Sequence, residues 1–306
     1  MRKIIFRIGF ILILIIIALY LVSSQFSITE LIYPVKIDSL YIHAEEIKYE
    51  KELSEGKAKP GKIFLYHPSQ LGLVCKDLII KTQDSLQLKA WYIVDSTIKT
   101  GITLILVPDI KEGKIQYLKD ASELISRGLN VCLVDLHAQG ESEGVKYTPG
   151  KSTIHDISAI IDSLISKFKT ENIVLMGNNI ASAIVIQAAQ REKRINILVV
   201  QNSFLTLNDY LGKYAEKKYG RFSKIFFSRM KGDYEKELGY SVDSLDLLEL
   251  IKNIEIPSLF ISNITESHLD FKSTQQLFDS SGAAKKEWQV VKDNEESEND
   301  LEEKKK

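Results

Sequence analysis

The stretch Ile173-Val174-Leu175-Met176-Gly177-Asn178-Asn179-Ile180-Ala181-Ser182-Ala183-Ile184-Val185-Ile186-Gln187-Ala188-Ala189-Gln190-Arg191 decides the fold. Four apolar residues in a row, Ile173 to Met176, read as a short buried strand. Gly177-Asn178-Asn179 interrupts the run as a turn, and Ile180 to Arg191, rich in Ala and Ile, reads as a helix. A buried strand that passes at once into a helix is the joint of a βαβ unit.

Working outward, the same alternation recurs from Lys62 onward. Toward the N-terminus, Asn130 to Leu136 and Ile102 to Val107 are continuous apolar strands, with a helix through Tyr117 to Arg127 that closes at Gly128. Thr153 to Phe168 carries apolar residues at helical spacing. Two further strands, around Val74 to Thr82 and Leu86 to Val94, flank a turn at Gln83-Asp84-Ser85. Toward the C-terminus come a strand at Ile195 to Val200, a predominantly helical and polar region from Leu207 to Lys252, and strands at Ser258 to Ser262 and Trp288 to Val291. This order predicts an α/β fold with a mainly parallel central sheet flanked by helices.

The 306 residues are 44% hydrophobic and 26% charged, enough to bury a sizeable core. A net charge of -1 gives no electrostatic footprint for nucleic acid. Cys75 and Cys132 make no disulfide framework, and Cys132, inside an apolar run, reads as a buried free thiol. No CxxC or His/Cys cluster points to a metal, and nothing points to a cofactor.

The ends are distinctive. Ile8 to Val22 is an unbroken apolar run that Ile4 to Phe6 extends past Arg7, and counted from Ile4 it reaches bilayer-spanning length. Arg2, Lys3 and Arg7 stand at its start and no Lys or Arg follows before Lys36. The positive-inside rule therefore puts the bulk of the chain on the extracytoplasmic side. A single-pass transmembrane anchor over residues 1–24 is the favoured reading; a cleaved signal peptide, cut before Gln25, is the rival. Residues 25–60 read as a connector, 61–292 as one domain, and 293–306 as a solvated charged tail.

Several local signatures are similar to those of the α/β-hydrolase superfamily, specifically its membrane-anchored serine-aminopeptidase-like branch. Pro68, Leu71, Gly72 and Leu73, then Thr82, Asp84, Leu86, Leu88 and Trp91, resemble the opening hairpin of these hydrolases. Arg127-Gly128-Leu129-Asn130-Val131 leads into Asp135-Leu136-His137-Ala138-Gln139-Gly140-Glu141-Ser142-Glu143-Gly144. That segment is similar to the family's D-x-R-G-x-G-x-S-x-G, with His137 and Ala138 in place of Arg and Gly. Pro257 before Ser258-Leu259-Phe260-Ile261 resembles the proline that opens the strand before the catalytic acid. The resemblance implies a cap over the pocket, at about residues 204–250, and a closing helix for which the chain after Val291 leaves little room.

The resemblance also implies a triad: a nucleophile on a strand-to-helix elbow G-x-S-x-G, then an acid, then a histidine. The elbow here reads Gly177-Asn178-Asn179-Ile180-Ala181, which sets Asn179 at the nucleophile position. A carboxamide cannot be deprotonated into an attacking oxygen, although Asn tolerates the left-handed backbone of such a turn. Gly140-Glu141-Ser142-Glu143-Gly144 fits G-x-S-x-G formally, but Tyr147-Thr148-Pro149-Gly150 follows instead of a helix, so Ser142 reads as a loop hydroxyl. The acid position falls on Glu266, with Asp270 as the alternative. The histidines are His43, His67, His137, His155 and His268, and none follows the last strand. The base position falls on Glu296, and a carboxylate is a poor base for a hydroxyl at neutral pH. At the oxyanion position, where the family has His-Gly, the chain has Val107-Pro108-Asp109-Ile110. The backbone amides of Ile110 and Ile180 are the candidate donors, with Asp109 placing like charge beside them.

Between Tyr210 and Lys231 the cations Lys213, Lys217, Lys218, Arg221, Lys224 and Arg229 alternate with Tyr214, Tyr219, Phe222, Phe226 and Phe227. This pattern fits either a cap helix with aromatics on the core or a basic, aromatic surface against anionic lipid. Taken together, the expected protein is a membrane-tethered, non-catalytic member of the superfamily that binds a small molecule or a protein. The alternatives are an ester or amide hydrolase with a non-standard site, such as Ser182 with His155 or His137, and a scaffold whose cap holds a partner at the membrane.

Overall fold

The structure, a computed structural model, describes residues 28–95, 101–110, 112–263 and 271–292, with Arg7 and Ile11 in the N-terminal run. Apart from those two residues, the expected anchor over 1–24 lies outside the described residues, as does the tail over 293–306. Among the described residues no helix is long and apolar enough to cross a membrane.

Eight strands form one sheet in the order β1-β2-β4-β3-β5-β6-β7-β8. They are β1 (Cys75–Lys81), β2 (Gln87–Ile93), β3 (Ile102–Val107), β4 (Asn130–Asp135), β5 (Asn172–Asn178), β6 (Ile195–Gln201), β7 (Ser258–Asn263) and β8 (Lys286–Val291). Only β2 runs against its neighbours; the pairs from β4 through β8 are all parallel. The central strands β3 and β4 are buried along five of their six residues, because helices cover both faces of a parallel sheet. Edge strand β1 alternates instead, with Leu78 and Ile80 turned to the core and their neighbours to solvent.

The helices are α1 (Ser39–Ser54), α2 (Leu118–Ser126), α3 (Lys151–Phe168), α4 (Ile180–Arg191), α5 (Leu207–Tyr219), α6 (Ser223–Leu238), α7 (Leu247–Ile251) and α8 (Phe271–Ser280). The period-two alternation of the strands sorts the core into two layers. On one face Ile105, Val107, Cys132, Leu175 and Val200 meet α3, α4, α7 and α8. On the other, Leu104, Leu106, Val131 and Leu133 meet Leu118, Ala121 and Ile125 of α2. Cys132 is a buried free thiol, and burial pushes its pKa up to about 12. The region expected as a cap is helical: α5 and α6 form a hairpin across a single 3-10 turn at Gly220–Phe222, and α7 returns the chain to β7.

Residues 25–60, expected as a connector, carry more structure than that reading assigned. Residues 28–32 are helical, and Ile28, Leu31 and Ile32 share one face of that turn and enter the main core. The backbone amide of Tyr147 donates to the Ile32 carbonyl at 2.7 Å, which ties this segment across the strand ends. Helix α1 follows, capped at Asp38, and none of its residues is buried.

Candidate functional site

The turn between β5 and α4 is a sharp elbow. Asn179 adopts φ 57 and ψ -119, in the left-handed half of the map that few side chains accept. Two contacts hold it there. The Asn179 amide donates to the Gln201 carbonyl of β6 at 3.1 Å. Gly177 lets strand and helix close on each other: a Cβ there would stand 2.5 Å from the Ala181 carbonyl oxygen and 2.9 Å from Val185.

Register then decides what faces the elbow. In the parallel pair β3–β5, Val107 lies level with Gly177, so two residues further on Asp109 comes level with Asn179. Asn179 Nδ2 donates to Asp109 Oδ2 at 2.8 Å, and the Ile110 amide donates to Asp109 Oδ1 at 2.6 Å. Since a carboxylate only accepts, the NH2 end of the carboxamide must face it. Asn179 Oδ1 is left buried with no hydrogen-bond partner among the described residues. Both oxygens of Asp109 thus hold groups that an acyl-transfer site would need free. One is the side chain at the nucleophile position, and the other is the expected oxyanion donor of Ile110. Ile180, the other expected oxyanion position, opens α4 and is buried, so its amide is among the donors a helix start leaves over.

Around this pair the strand ends present amides and phenols. Asn202, also at positive φ (45), donates from Nδ2 to Asn178 Oδ1 at 3.2 Å and accepts from the Asn263 amide at 2.7 Å. Tyr147 is fully buried, and its hydroxyl has no partner among the described residues. Burial, and after it the negative charge of Asp109, pushes the hydroxyls of Tyr147 and Tyr210 well above the usual phenol range. Both phenols therefore stay protonated at physiological pH and serve as neutral donors. Neither supplies a base.

His137, His67 and His43 are engaged elsewhere. His137 Nδ1 meets Asp156 Oδ2 at 2.6 Å, and the same oxygen accepts the His137 amide at 3.0 Å; both residues are buried. This pair pins the loop after β4 to α3. His67 caps the 3-10 helix Pro68–Leu71, meeting the Ser69 hydroxyl at 2.8 Å in an exposed turn beside β1. Its Nε2 lies 3.8 Å from Cys75 Sγ, yet burial and then Asp77 push that thiol up, away from the thiolate. His43 is an exposed partner of Glu46. Ser182, weighed as an alternative nucleophile, donates to the Asn179 carbonyl at 2.6 Å and shares a 2.7 Å bond with Ser203 Oγ; no bond joins it to His155 or His137. Ser142 is buried, donating to the Asp135 carbonyl (2.6 Å) and accepting the Lys89 amide (2.8 Å), so it is a clamp between β4 and β2. Glu266, Asp270, His268 and Glu296 lie outside the described residues. Among those described, no group of three or more His, Cys, Asp or Glu residues could hold a metal ion.

The loop that carries His137 rests on a charge cluster built on the buried pair Lys114 and Asp135, with Glu141 at its exposed edge, which the sequence alone does not reveal. Lys114 Nζ bonds Asp135 Oδ2 and Glu141 Oε2, each at 2.7 Å, and lies 4.5 Å from the centre of the Trp91 ring. Gly140, at φ 42, lies against the Asp135 carboxylate so closely that a Cβ would collide with it. A Lys 27 residues before a Glu carries no local signal, which is why only the folded chain exposes the pairing.

This sheet order, with the elbow on β5 and a helical cap after β6, defines the α/β-hydrolase fold. No protein-family model matches the chain. A curated relative, the α/β hydrolase domain-containing protein WAV2 of Arabidopsis thaliana, is 23% identical over 228 residues, covering 72% of this chain and 71% of its own. Among solved structures, the Pyrococcus furiosus esterase Pf2001 superposes with a TM-score of 0.62 at 20% identity, over 80% of this chain and 93% of that one. An acetyl xylan esterase from Paenibacillus sp. R4 gives 0.57 at 14% identity, over 89% and 94%.

Proposed function

We propose that this protein is a catalytically degenerate, membrane-tethered α/β-hydrolase-fold protein that binds a small molecule or a protein at the carboxyl ends of its strands. The observation that carries the reading is the closed triangle of Asp109, Asn179 and the Ile110 amide. An acyl-transfer site needs an ionisable nucleophile at the elbow and free donors where negative charge develops. Here the elbow side chain is a carboxamide, and a carboxylate sits where the oxyanion would form. Open α/β sheets bind ligands outside the carboxyl ends of their strands. Among the described residues, this edge carries an acceptor at Asn179 and a donor at Tyr147 that no protein group satisfies. Tethering is supported by the apolar run Ile4–Val22 with Arg2, Lys3 and Arg7 at its start, which also supports an extracytoplasmic domain.

The test of degeneracy restores the hydroxyl. Asn179→Ser, assayed with short-chain p-nitrophenyl esters, is expected to show no turnover above the unsubstituted chain, because no base is supplied with the nucleophile. Turnover in the variant would show that a histidine or other base is in place. For tethering, the full chain is expected to stay in the membrane pellet after alkaline carbonate extraction; release into the supernatant would sink that part.

The rival reading, an active esterase with a non-standard site, has in its favour the activity named for Pf2001 and the Paenibacillus enzyme. At 20% and 14% identity those likenesses speak for the fold alone.

A further inference from the structure

The α5–α6 hairpin carries an exposed surface that the proposed binding site does not use. Of the aromatics interleaved with cations between Tyr210 and Lys231, most pack inward. Tyr219 stacks on Phe226 at 4.3 Å, and Tyr214, Tyr219 and Phe227 lie against the main core. Two apolar side chains remain outside, at and just after the turn: Phe222 is 50% exposed and Ile225 59%. Arg221, with its guanidinium 4.9 Å from the Phe222 ring, and Lys224 share the turn with them and are exposed. From Lys213 to Arg229 six cations stand against one carboxylate, Glu216, in a protein whose net charge is -1. Lys218 is held by Glu30 and Arg229 by Asp233, whereas Arg221 and Lys224 stand at the turn itself.

The hairpin is also tied to the segment that begins at Ile28, a few residues after the N-terminal run. Glu30 accepts from Tyr214 at 2.8 Å and from Lys218 at 3.0 Å, and Tyr33 donates to Glu237 of α6 at 3.0 Å. Glu30 is eight residues beyond Val22, the end of the apolar run. Even fully extended, those residues span about 26–29 Å. An anchor over the run would therefore keep this hairpin within reach of the same bilayer surface.

We infer that the tip of the α5–α6 hairpin docks on an anionic lipid bilayer. Phe222 and Ile225 enter the headgroup–acyl boundary, while Arg221 and Lys224 face acidic headgroups. Charge and apolar exposure coincide at one convex turn, the combination that interfacial segments use. The proximity argument rests on the tethered reading above; the composition of the tip does not.

The test uses the full chain carrying Phe222→Trp in vesicles of neutral phosphatidylcholine, or of phosphatidylcholine with phosphatidylserine. Fluorescence of the unsubstituted chain, from Trp91 and Trp288, is subtracted. In anionic vesicles the emission of the introduced indole is expected to shift to the blue and to be quenched by lipids brominated on their acyl chains. In neutral vesicles both effects should fall away. Adding Arg221→Glu and Lys224→Glu should abolish the anionic-vesicle signal, each lost cation weakening attraction roughly fivefold. Since an anchor holds the chain on either vesicle, a failed anchor shows as loss of co-sedimentation with neutral vesicles, which is separable from failed docking. Emission from the introduced indole that is equal in the two vesicle types, or quenching that survives the charge reversals, would overturn the inference. So would burial of that indole without any lipid, which would assign the tip to a protein contact instead.

Discussion

Asn179 sits in a backbone conformation that costs free energy, and its carboxamide repays part of that cost through Asp109. Replacing it by Asp keeps size and shape but sets a second carboxyl at hydrogen-bond distance, 2.8 Å, from Asp109 Oδ2. Two carboxyls that close cannot both ionise, so one titrates high in the folded chain and near its ordinary value of about 4 when unfolded. A raised acid pKa leaves the folded state unharmed at low pH and penalises it as pH rises through the two values. With a shift of about two units, Asn179→Asp is expected to cost about 3 kcal/mol near pH 7.5 and almost nothing below about pH 4, relative to the parent. Urea unfolding at the two pH values checks this. A pH-independent difference would show that Asp109 and residue 179 are not in contact. Before folding is considered, Asn179 is legible as the residue at the elbow, because the strand and helix on either side are strongly patterned. Asp109 is visible as a carboxylate in an awkward place. What the sequence hides is that Asp109 closes on both Asn179 and the Ile110 amide. That closure depends on the level pairing of Val107 with Gly177, a contact across 70 residues.

Among the elements, the segment 28–32 and helix α1 are neighbours in sequence with opposite roles. Ile32 is fully buried in the main core, whereas Leu40 of α1 is 77% exposed. Ile32→Ala should cost about 2–5 kcal/mol, the range for emptying a buried aliphatic site. Leu40→Ala should stay within about 0.5 kcal/mol. Chemical denaturation of the two variants measures this, and equal effects would contradict the packing of residues 28–32. The same contrast explains what could be read beforehand. Helix Ile180–Arg191 and strand Ile102–Val107 have the bounds expected from sequence, since continuous burial writes continuous hydrophobicity. Helix α1 shows no apolar stripe because it buries nothing, so its Glu- and Lys-rich sequence read as connector. Residues 28–32 offer a single turn of pattern, and their place in the core depends on Tyr147, more than a hundred residues away.

At the scale of the whole molecule, fold and chemistry separate. The sheet order, the elbow and the cap are those of the α/β hydrolases, and the run of strands and helices predicts them because each joint carries its own local signal. At the elbow, that scaffold carries the carboxamide of Asn179 where a hydrolase would need an ionisable nucleophile. Tyr147 and Tyr210 line the strand ends as buried phenols, which no short-range pattern anticipates. Their presence and the Asp109–Asn179 contact set fixed neutral donors around one carboxylate at this edge, an arrangement that fits the proposed ligand site. The most direct test is exposure of the purified full chain to a fluorophosphonate probe, followed by intact-mass analysis. The account predicts an unchanged mass at probe concentrations that fully label an active serine esterase; a stoichiometric adduct would contradict it.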